Sequence, residues 1–222
     1  MSRMVLPIFI LILLLILSGT APAQASRARA TIRKPEIQAT ADKSANQSSE
    51  ARAPAAALPH PGPEMQKLMS ALTGTWSIAL KSEPSHSSPQ GGVGQGEETW
   101  RPGPGGLSLI EDYYSTGSEG EIRGLGVTWW DEKEQRFQVT WCDNGTPAGC
   151  AVLKHGARWE GNQLVATDES DMGGKVFSFR EVFSDFTPTS FTQTIYLGEP
   201  GGELKKVVTI VATKVAPAAG VK

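Results

Sequence analysis

The sequence predicts an all-β fold, an antiparallel up-and-down β-barrel of about ten strands with a short N-terminal helix. One observation is a single helical segment: Met65, Leu68, Met69 and Leu72 follow the i, i+3, i+4, i+7 spacing of one helix face. Gly74 then ends that helix. The other observation is that the hydrophobic period drops to two afterwards, while turn signals rich in Gly, Pro and Asp recur at short intervals.

The period of two is clearest in two segments. Phe137, Val139 and Trp141 alternate with polar residues, and the run from Phe191 to Leu197 does the same. Because successive side chains of a strand point to opposite faces, these are half-buried strands. No second helical segment of useful length follows, which disfavours a parallel α/β fold. Ten antiparallel strands would leave two open edges unless they close, so the pattern favours a barrel over a flat sheet.

The N-terminus has the features of a secretory signal peptide. Arg3 gives a positive start, Val5 to Leu17 is apolar except for Pro7, and the small residues Ala21 and Ala23 fit a cleavage site. We therefore expect residues 1–23 to be a signal peptide cleaved near Ala23, and the protein to be secreted or periplasmic. The alternative, an uncleaved anchor, needs about 18 or more apolar residues, and this run is shorter. No transmembrane segment is expected after cleavage.

Composition divides the rest of the chain. Residues 24–63 are rich in Ala, Pro and Ser and poor in large apolar residues, which is typical of a disordered linker. Residues 64–214 carry the strand pattern and are predicted to form the barrel domain, and residues 215–222 a flexible tail. From residue 64 onward, 14 Lys and Arg face 20 Asp and Glu. A phosphate backbone needs a basic surface, so nucleic acid is not an expected partner.

Cys142 and Cys150 are the two cysteines of the chain. They flank a segment with Asn-Gly and Gly turn signals, and an exported protein meets an oxidising compartment. We therefore predict a disulfide that closes a hairpin loop. A redox-active pair is disfavoured, because the spacing is not Cys-x-x-Cys. A metal site would need further thiols or nearby histidines, and none is predicted.

Three local patterns stand out in the chain: Leu72–Trp76, Gly124-x-Gly126 with Trp129-Trp130-Asp131, and Phe137–Trp141 with Asp143. They resemble those of a bacterial calycin-type, lipocalin-like family catalogued as domain of unknown function 1579. The resemblance spans residues 64 to 214 and implies a calyx, with Trp76 packed across its closed end, but no activity. Related haem-binding barrels continue the opening motif with further glycines and carry a late histidine. This chain has Ser77-Ile78-Ala79 there and no histidine after His155, so no cofactor is expected.

Aromatic side chains are the main candidates for a binding wall, and core packing is their alternative role. The strand Val176 to Phe183 is unusual because Glu181 shares a face with Phe179 and Phe183. A carboxylate among phenylalanines needs a partner, for which Arg123, Arg158 and Arg180 are candidates, unless the strand twists and Glu181 reaches solvent. The predicted ligand-binding residues are Trp100, Tyr114, Trp129, Phe179 and Glu181.

Three functional hypotheses follow from these residues. The first is an exported barrel that binds a small, mostly apolar molecule without transforming it. The second is an envelope structural or interaction module with a filled barrel. The third is a calycin-type enzyme that uses Glu181 or His155. No nucleophile lies in a Gly-x-Ser-x-Gly elbow and no cysteine is expected to be free, so no catalytic residue is predicted and the enzyme is the disfavoured alternative. The sequence does not indicate an oligomeric state.

Overall fold

A computed structural model describes residues 58–84, 89–118, 120–145, 148–171 and 175–216. The predicted signal peptide, nearly all of the predicted linker and most of the predicted C-terminal tail lie outside the described residues. The described part forms a closed antiparallel β-barrel with one short helix before it, which confirms the predicted fold class.

Helix α1 spans Pro63–Leu72. Pro63 lies in the first turn, where its missing N–H costs nothing, and Glu64 complements the positive end of the helix dipole. Met65, Leu68 and Leu72 form the buried face. The helix lies across one end of the barrel, which we call the closed end; the opposite end is the mouth.

Gly74 and Trp76 join the helix to the first strand. Gly74 has a φ of 139°, a conformation that favours glycine. Two residues later Trp76 is 1% exposed, and its Nε1–H donates a hydrogen bond of 2.7 Å to the carbonyl of Leu72. One of the free carbonyls at the helix end is thereby satisfied. Trp76 also packs edge-on against Phe191, with ring centroids 4.8 Å apart.

Eleven strands follow, and sequential strands pair in most cases. Their bounds are β1 Gly74–Ser82, β2 Gly92–Pro102, β3 Ser108–Gly117, β4 Gly120–Asp131, β5 Arg136–Asp143, β6 Cys150–Val152, β7 Ala157–Glu160, β8 Gln163–Asp171, β9 Val176–Ser184, β10 Ser190–Gly198 and β11 Lys205–Lys214. Strand β1 pairs with both β2 and β11, so the sheet closes on itself.

Strands β6 and β7 together occupy one position in the barrel, which is therefore a ten-stranded barrel in the described part of the chain. The break between them is Leu153–Gly156, and Gly156 has a φ of 61°. A Cβ at Gly156 would lie 2.1 Å from the carbonyl oxygen of Phe137, so only glycine fits there. Strand β7 joins β5 through the pair Phe137–Ala157, and β7 also pairs with β8. Among the described residues, β6 has no ladder pair with β8.

The closed end is filled with side chains. Fully buried residues from the helix and from several strands meet there, including Leu68, Leu72, Trp76, Phe137 and Phe191. At the other end of β5, Cys142 and Cys150 are cross-strand partners and form a disulfide, as predicted. No helix in the described part of the chain is long and apolar enough to cross a membrane.

Candidate functional site

The ladder register places the five predicted ligand-binding residues on two different faces. Trp100, Phe179 and Glu181 point into the barrel, because their alternation matches buried inner residues on the neighbouring strands. Tyr114 and Trp129 lie on the outer face. The strand containing Glu181 keeps its alternation, so Glu181 does not turn out to bulk solvent. Binding of a ligand by any of the five stays a prediction.

The contacts of Tyr114 and Trp129 agree with an outward position. Arg123 lies over the Tyr114 ring at 4.7 Å, and the Tyr114 hydroxyl donates to Glu121 at 3.4 Å, both on the surface. Trp129 follows buried Thr128, and its neighbour Trp130 packs against Phe137 inside. In the pairs Tyr113-Tyr114 and Trp129-Trp130 the other member faces inward.

Trp100 and Phe183 form the floor of the barrel interior. They belong to β2 and β9, which lie on opposite sides of the barrel, and their rings meet edge-on at 6.3 Å. Both strands run from the mouth toward the closed end. Glu98 and Glu181 therefore lie two residues nearer the mouth, directly above this floor.

Three carboxylates gather above the floor: Glu98 on β2, Glu111 on β3 and Glu181 on β9. Glu98 is 0% exposed, and burial raises its pKa from 4.5 to about 8, with the charge of Glu181 adding to the increase. Burial also raises the pKa of Glu111 well above its ordinary value, as do the charges of Glu98 and Glu181. The pKa of Glu181 is raised by burial, and a hydrogen bond from Gln193 opposes that increase.

Several polar atoms of this cluster have no hydrogen-bond partner among the described residues. They are both carboxylate oxygens of Glu98, Nε1 of Trp100 and Oε1 of Gln193. The Trp100 indole lies near enough to Glu98 to oppose the increase of its pKa, but outside hydrogen-bond geometry. The other end of the Gln193 amide donates to Glu181, so the free Oε1 lies in the cluster itself. A buried polar atom without a partner is costly, and each needs an explanation.

Among the described residues, none of the three candidate arginines is paired with Glu181. Arg180 pairs with Glu160 and Arg123 with Glu121 on the outer face, and Arg158 is exposed. Glu181 is hydrogen-bonded to Gln193 instead. The reason is parity: each of these arginines occupies an outward position of its strand.

Tyr113 and Trp141 line the interior nearer the mouth. Their rings meet edge-on at 5.8 Å, and burial raises the pKa of Tyr113 above its ordinary value. Gly124 makes room for this pair, since a Cβ there would lie 2.3 Å from the Trp141 ring. The inward side chains of Tyr113, Trp141, Phe179 and Glu181 are only partly buried. Solvent therefore reaches this part of the interior.

His155 lies outside the interior, in the break between β6 and β7. Its side chain is 57% exposed, and its Nδ1 is 3.8 Å from the inward-facing carboxylate of Asp168. Asp168 also accepts the backbone N–H of Lys154 across the break at 2.9 Å. The structure brings His155 next to Asp168 and does not bring it next to Glu181.

Two pockets lie away from the carboxylate cluster. At the mouth, between β1, β2, β3 and β4, a pocket of about 30 Å³ has room for one water molecule. Outside the barrel, a groove of about 610 Å³ runs between α1, the β7–β8 turn and the β9–β10 loop. Within the described ranges, no group of three or more His, Cys, Asp and Glu side chains could hold a metal ion.

Glu98 and Glu111 were missed as site residues at the level of sequence. Each has an acidic neighbour, Glu97 or Asp112, and such pairs are typical of charged surfaces. One member of each pair is indeed exposed. The signal that could have found them is strand alternation, in which residues two apart share a face. Glu98 is two residues from Trp100, and Glu111 is two residues from Leu109.

Comparisons with known proteins identify the family of this chain. The model of a family described as Protein of unknown function (DUF1579) matches residues 61–214. Among solved structures, Rv2717c from M. tuberculosis is similar with a TM-score of 0.48 and 11% identity, over 70% of this chain and 99% of that chain. A redesigned β-barrel, mFAP0, bound to DFHBI has a TM-score of 0.36 and 16% identity, over 65% of this chain and 99% of that one. No curated protein was found to match.

Proposed function

Because this chain belongs to the DUF1579 family, whose function is unknown, we propose a function from its own geometry: the protein binds a small molecule inside the barrel. The binding site is the space above the floor formed by Trp100 and Phe183. Its walls are the carboxylate cluster on one level and the Tyr113–Trp141 pair nearer the mouth.

One observation carries this proposal. Glu98 is completely buried, and in the part of the chain that the structure describes neither its two oxygens nor Oε1 of Gln193 in the same cluster has a hydrogen-bond partner. Packing alone gives no reason to bury such groups, because apolar residues would stabilise the barrel better. A bound molecule with polar groups would satisfy them. The rings around the cluster would contact its apolar part, which is the usual arrangement of a ligand pocket.

The test combines mass and fluorescence. Native mass spectrometry of the purified protein should show an extra mass that is lost on denaturation. After that ligand is removed, the neutral dye N-phenylnaphthylamine should bind saturably with a rise in fluorescence. Ile195→Trp, an inward and partly buried position, should block the dye.

Thr194→Trp is the matched control, since residue 194 points outward on the same strand. It should leave dye binding unchanged. An apo mass together with no saturable dye binding would overturn the proposal and favour the filled-barrel interaction module.

The proposal includes export to a secreted or periplasmic location. Its support is the signal-like sequence of residues 1–23, together with a Cys142–Cys150 disulfide that suits an oxidising compartment. Cell fractionation with N-terminal sequencing should find a chain that begins at Gln24 outside the cytosol. A full-length chain in the cytosolic fraction would contradict it.

A further inference from the structure

We propose that the ligand of the interior site is a small organic cation, a protonated amine or amidine attached to an apolar body. This inference rests on the proposed function and adds the chemical class of the ligand. It is carried by the sign of the charges inside the barrel, by the unpartnered atoms and by the exposed ring surfaces.

The ionisable groups on the inner face are acids. Glu98, Glu111 and Glu181 lie above the floor, and Asp143 and Asp168 occupy inward positions nearer the mouth. In the described part of the chain, no Lys, Arg or His side chain lies on the inner face between the two ends. Lys205 and Lys214 are at the ends, and His155 is in the wall break. In a low-dielectric interior a cation can take the place of the proton on such an acid, whereas an anion would be repelled by any of them that ionises.

The unpartnered atoms also select for a donor. When Glu98 is ionised, three of the four are acceptors, namely the two oxygens of Glu98 and Oε1 of Gln193, and Nε1 of Trp100 is the single donor. Glu98 and Gln193 are both more than nine-tenths buried, so bulk water does not satisfy them. An ammonium or amidinium group has several N–H donors and no acceptor, which complements this set.

The aromatic pair nearer the mouth suits the same class of ligand. Tyr113 and Trp141 are partly accessible, and their ring faces attract cations as well as apolar groups. The carboxylates, by contrast, do not converge to hold a metal ion among the described residues. A ligand larger than a bare ion would reach both the carboxylates and the rings.

The experiment compares four probes of similar shape by quenching of tryptophan fluorescence: benzylammonium, benzyltrimethylammonium, benzyl alcohol and phenylacetate. Benzylammonium should bind about tenfold or more tightly than benzyl alcohol, because it adds charge-assisted hydrogen bonds. Phenylacetate should not bind. Benzyltrimethylammonium, a cation without N–H donors, should fall between benzylammonium and benzyl alcohol.

Glu98→Gln should remove most of the preference for benzylammonium, and Glu97→Gln, the outward neighbour, should keep it. The affinity for benzylammonium should also rise with pH toward 8, because the cation displaces the proton held by Glu98, whose pKa is about 8. The other ionisable groups that face this site are Glu111, Glu181, Tyr113, Asp143 and Asp168, with His155 at the wall break.

The outcomes separate the two proposals. If benzyl alcohol binds as tightly as benzylammonium, or phenylacetate binds better, the inference of a cationic ligand fails while binding in the barrel stands. If neither the four probes nor N-phenylnaphthylamine binds, the proposed function itself fails and the inference fails with it.

Discussion

Trp76 and Trp100 are both buried in the barrel, yet they differ in whether the indole N–H has a hydrogen-bond partner. At the closed end, Trp76 donates to the Leu72 carbonyl and packs on Phe191. Trp100 packs on Phe183, but its N–H has no hydrogen-bond partner within the described ranges. The closed end is therefore built as a stable core in which the indole N–H of Trp76 is paired, although the hydroxyl of Thr73 beside it has no partner among the described residues. The region above the floor gives up such pairing, as binding sites commonly do.

Glu98→Gln should have the largest effect, and it should appear as a change in the pH dependence of stability. The pKa of Glu98 is about 8 in the folded protein against 4.5 ordinarily, so the folded state binds more protons between these values. The contribution of Glu98 to the free energy of unfolding is therefore fully present below about pH 4.5 and is lost as the pH rises toward 8. At about 1.4 kcal/mol per pKa unit, the loss amounts to several kcal/mol.

Urea unfolding at pH 5, 7 and 9 measures this prediction. The wild type should lose stability across the series, and Glu98→Gln should lose clearly less. Glu111 and Glu181, whose pKa values are also raised, should keep part of the slope. Glu97→Gln should behave as the wild type. Equal slopes in all three proteins would mean that Glu98 is not buried as described.

The two tryptophans offer the next comparison. Trp76→Phe replaces the indole by a smaller ring and leaves the Leu72 carbonyl without its donor. Trp100→Phe makes the same replacement, but the indole N–H that it removes makes no hydrogen bond among the described residues. We expect Trp76→Phe to be the more destabilising change, by about 1–3 kcal/mol, which is the cost of an unpaired buried polar group. Chemical unfolding of both variants gives the difference. A larger loss for Trp100→Phe would reverse the assignment of the two regions.

Gly124→Ala should have the smallest effect of the three. A Cβ at this position would overlap the Trp141 ring, but that ring faces accessible space and can shift. We expect a loss of about 1 kcal/mol, the low end of the range for overpacking. In a Trp141→Ala background the same change should cost almost nothing. A loss of the same size in both backgrounds would show that the ring is not what Gly124 accommodates.

The sequence predicted the barrel, the helix and the disulfide because each depends on local patterns. The inward position of Glu181 followed from its alternation with Phe179 and Phe183. Glu98 and Glu111 did not emerge, since parity within an acidic pair depends on ladder register, which local sequence does not contain. The outer-face positions of Tyr114 and Trp129 were not predicted for the same reason. The cluster itself joins β2, β3 and β9, whose proximity arises only when the barrel closes.

The break at Leu153–Gly156 has a consequence for the movements of the barrel. Across this part of the wall, β5 and β7 are joined by one residue pair. Among the described residues, the mouthward half of β8 has its ladder partners on β9, and the N–H of Thr167 donates a single backbone hydrogen bond of 3.3 Å to the carbonyl of Gly156 in the break. The barrel therefore has a seam, which the Asp168–Lys154 hydrogen bond spans near its inner end. Opening along a seam costs less than breaking a continuous ladder. Backbone amides of residues 151–156 and 167–170 should therefore exchange with deuterium sooner than those of β1 and β11.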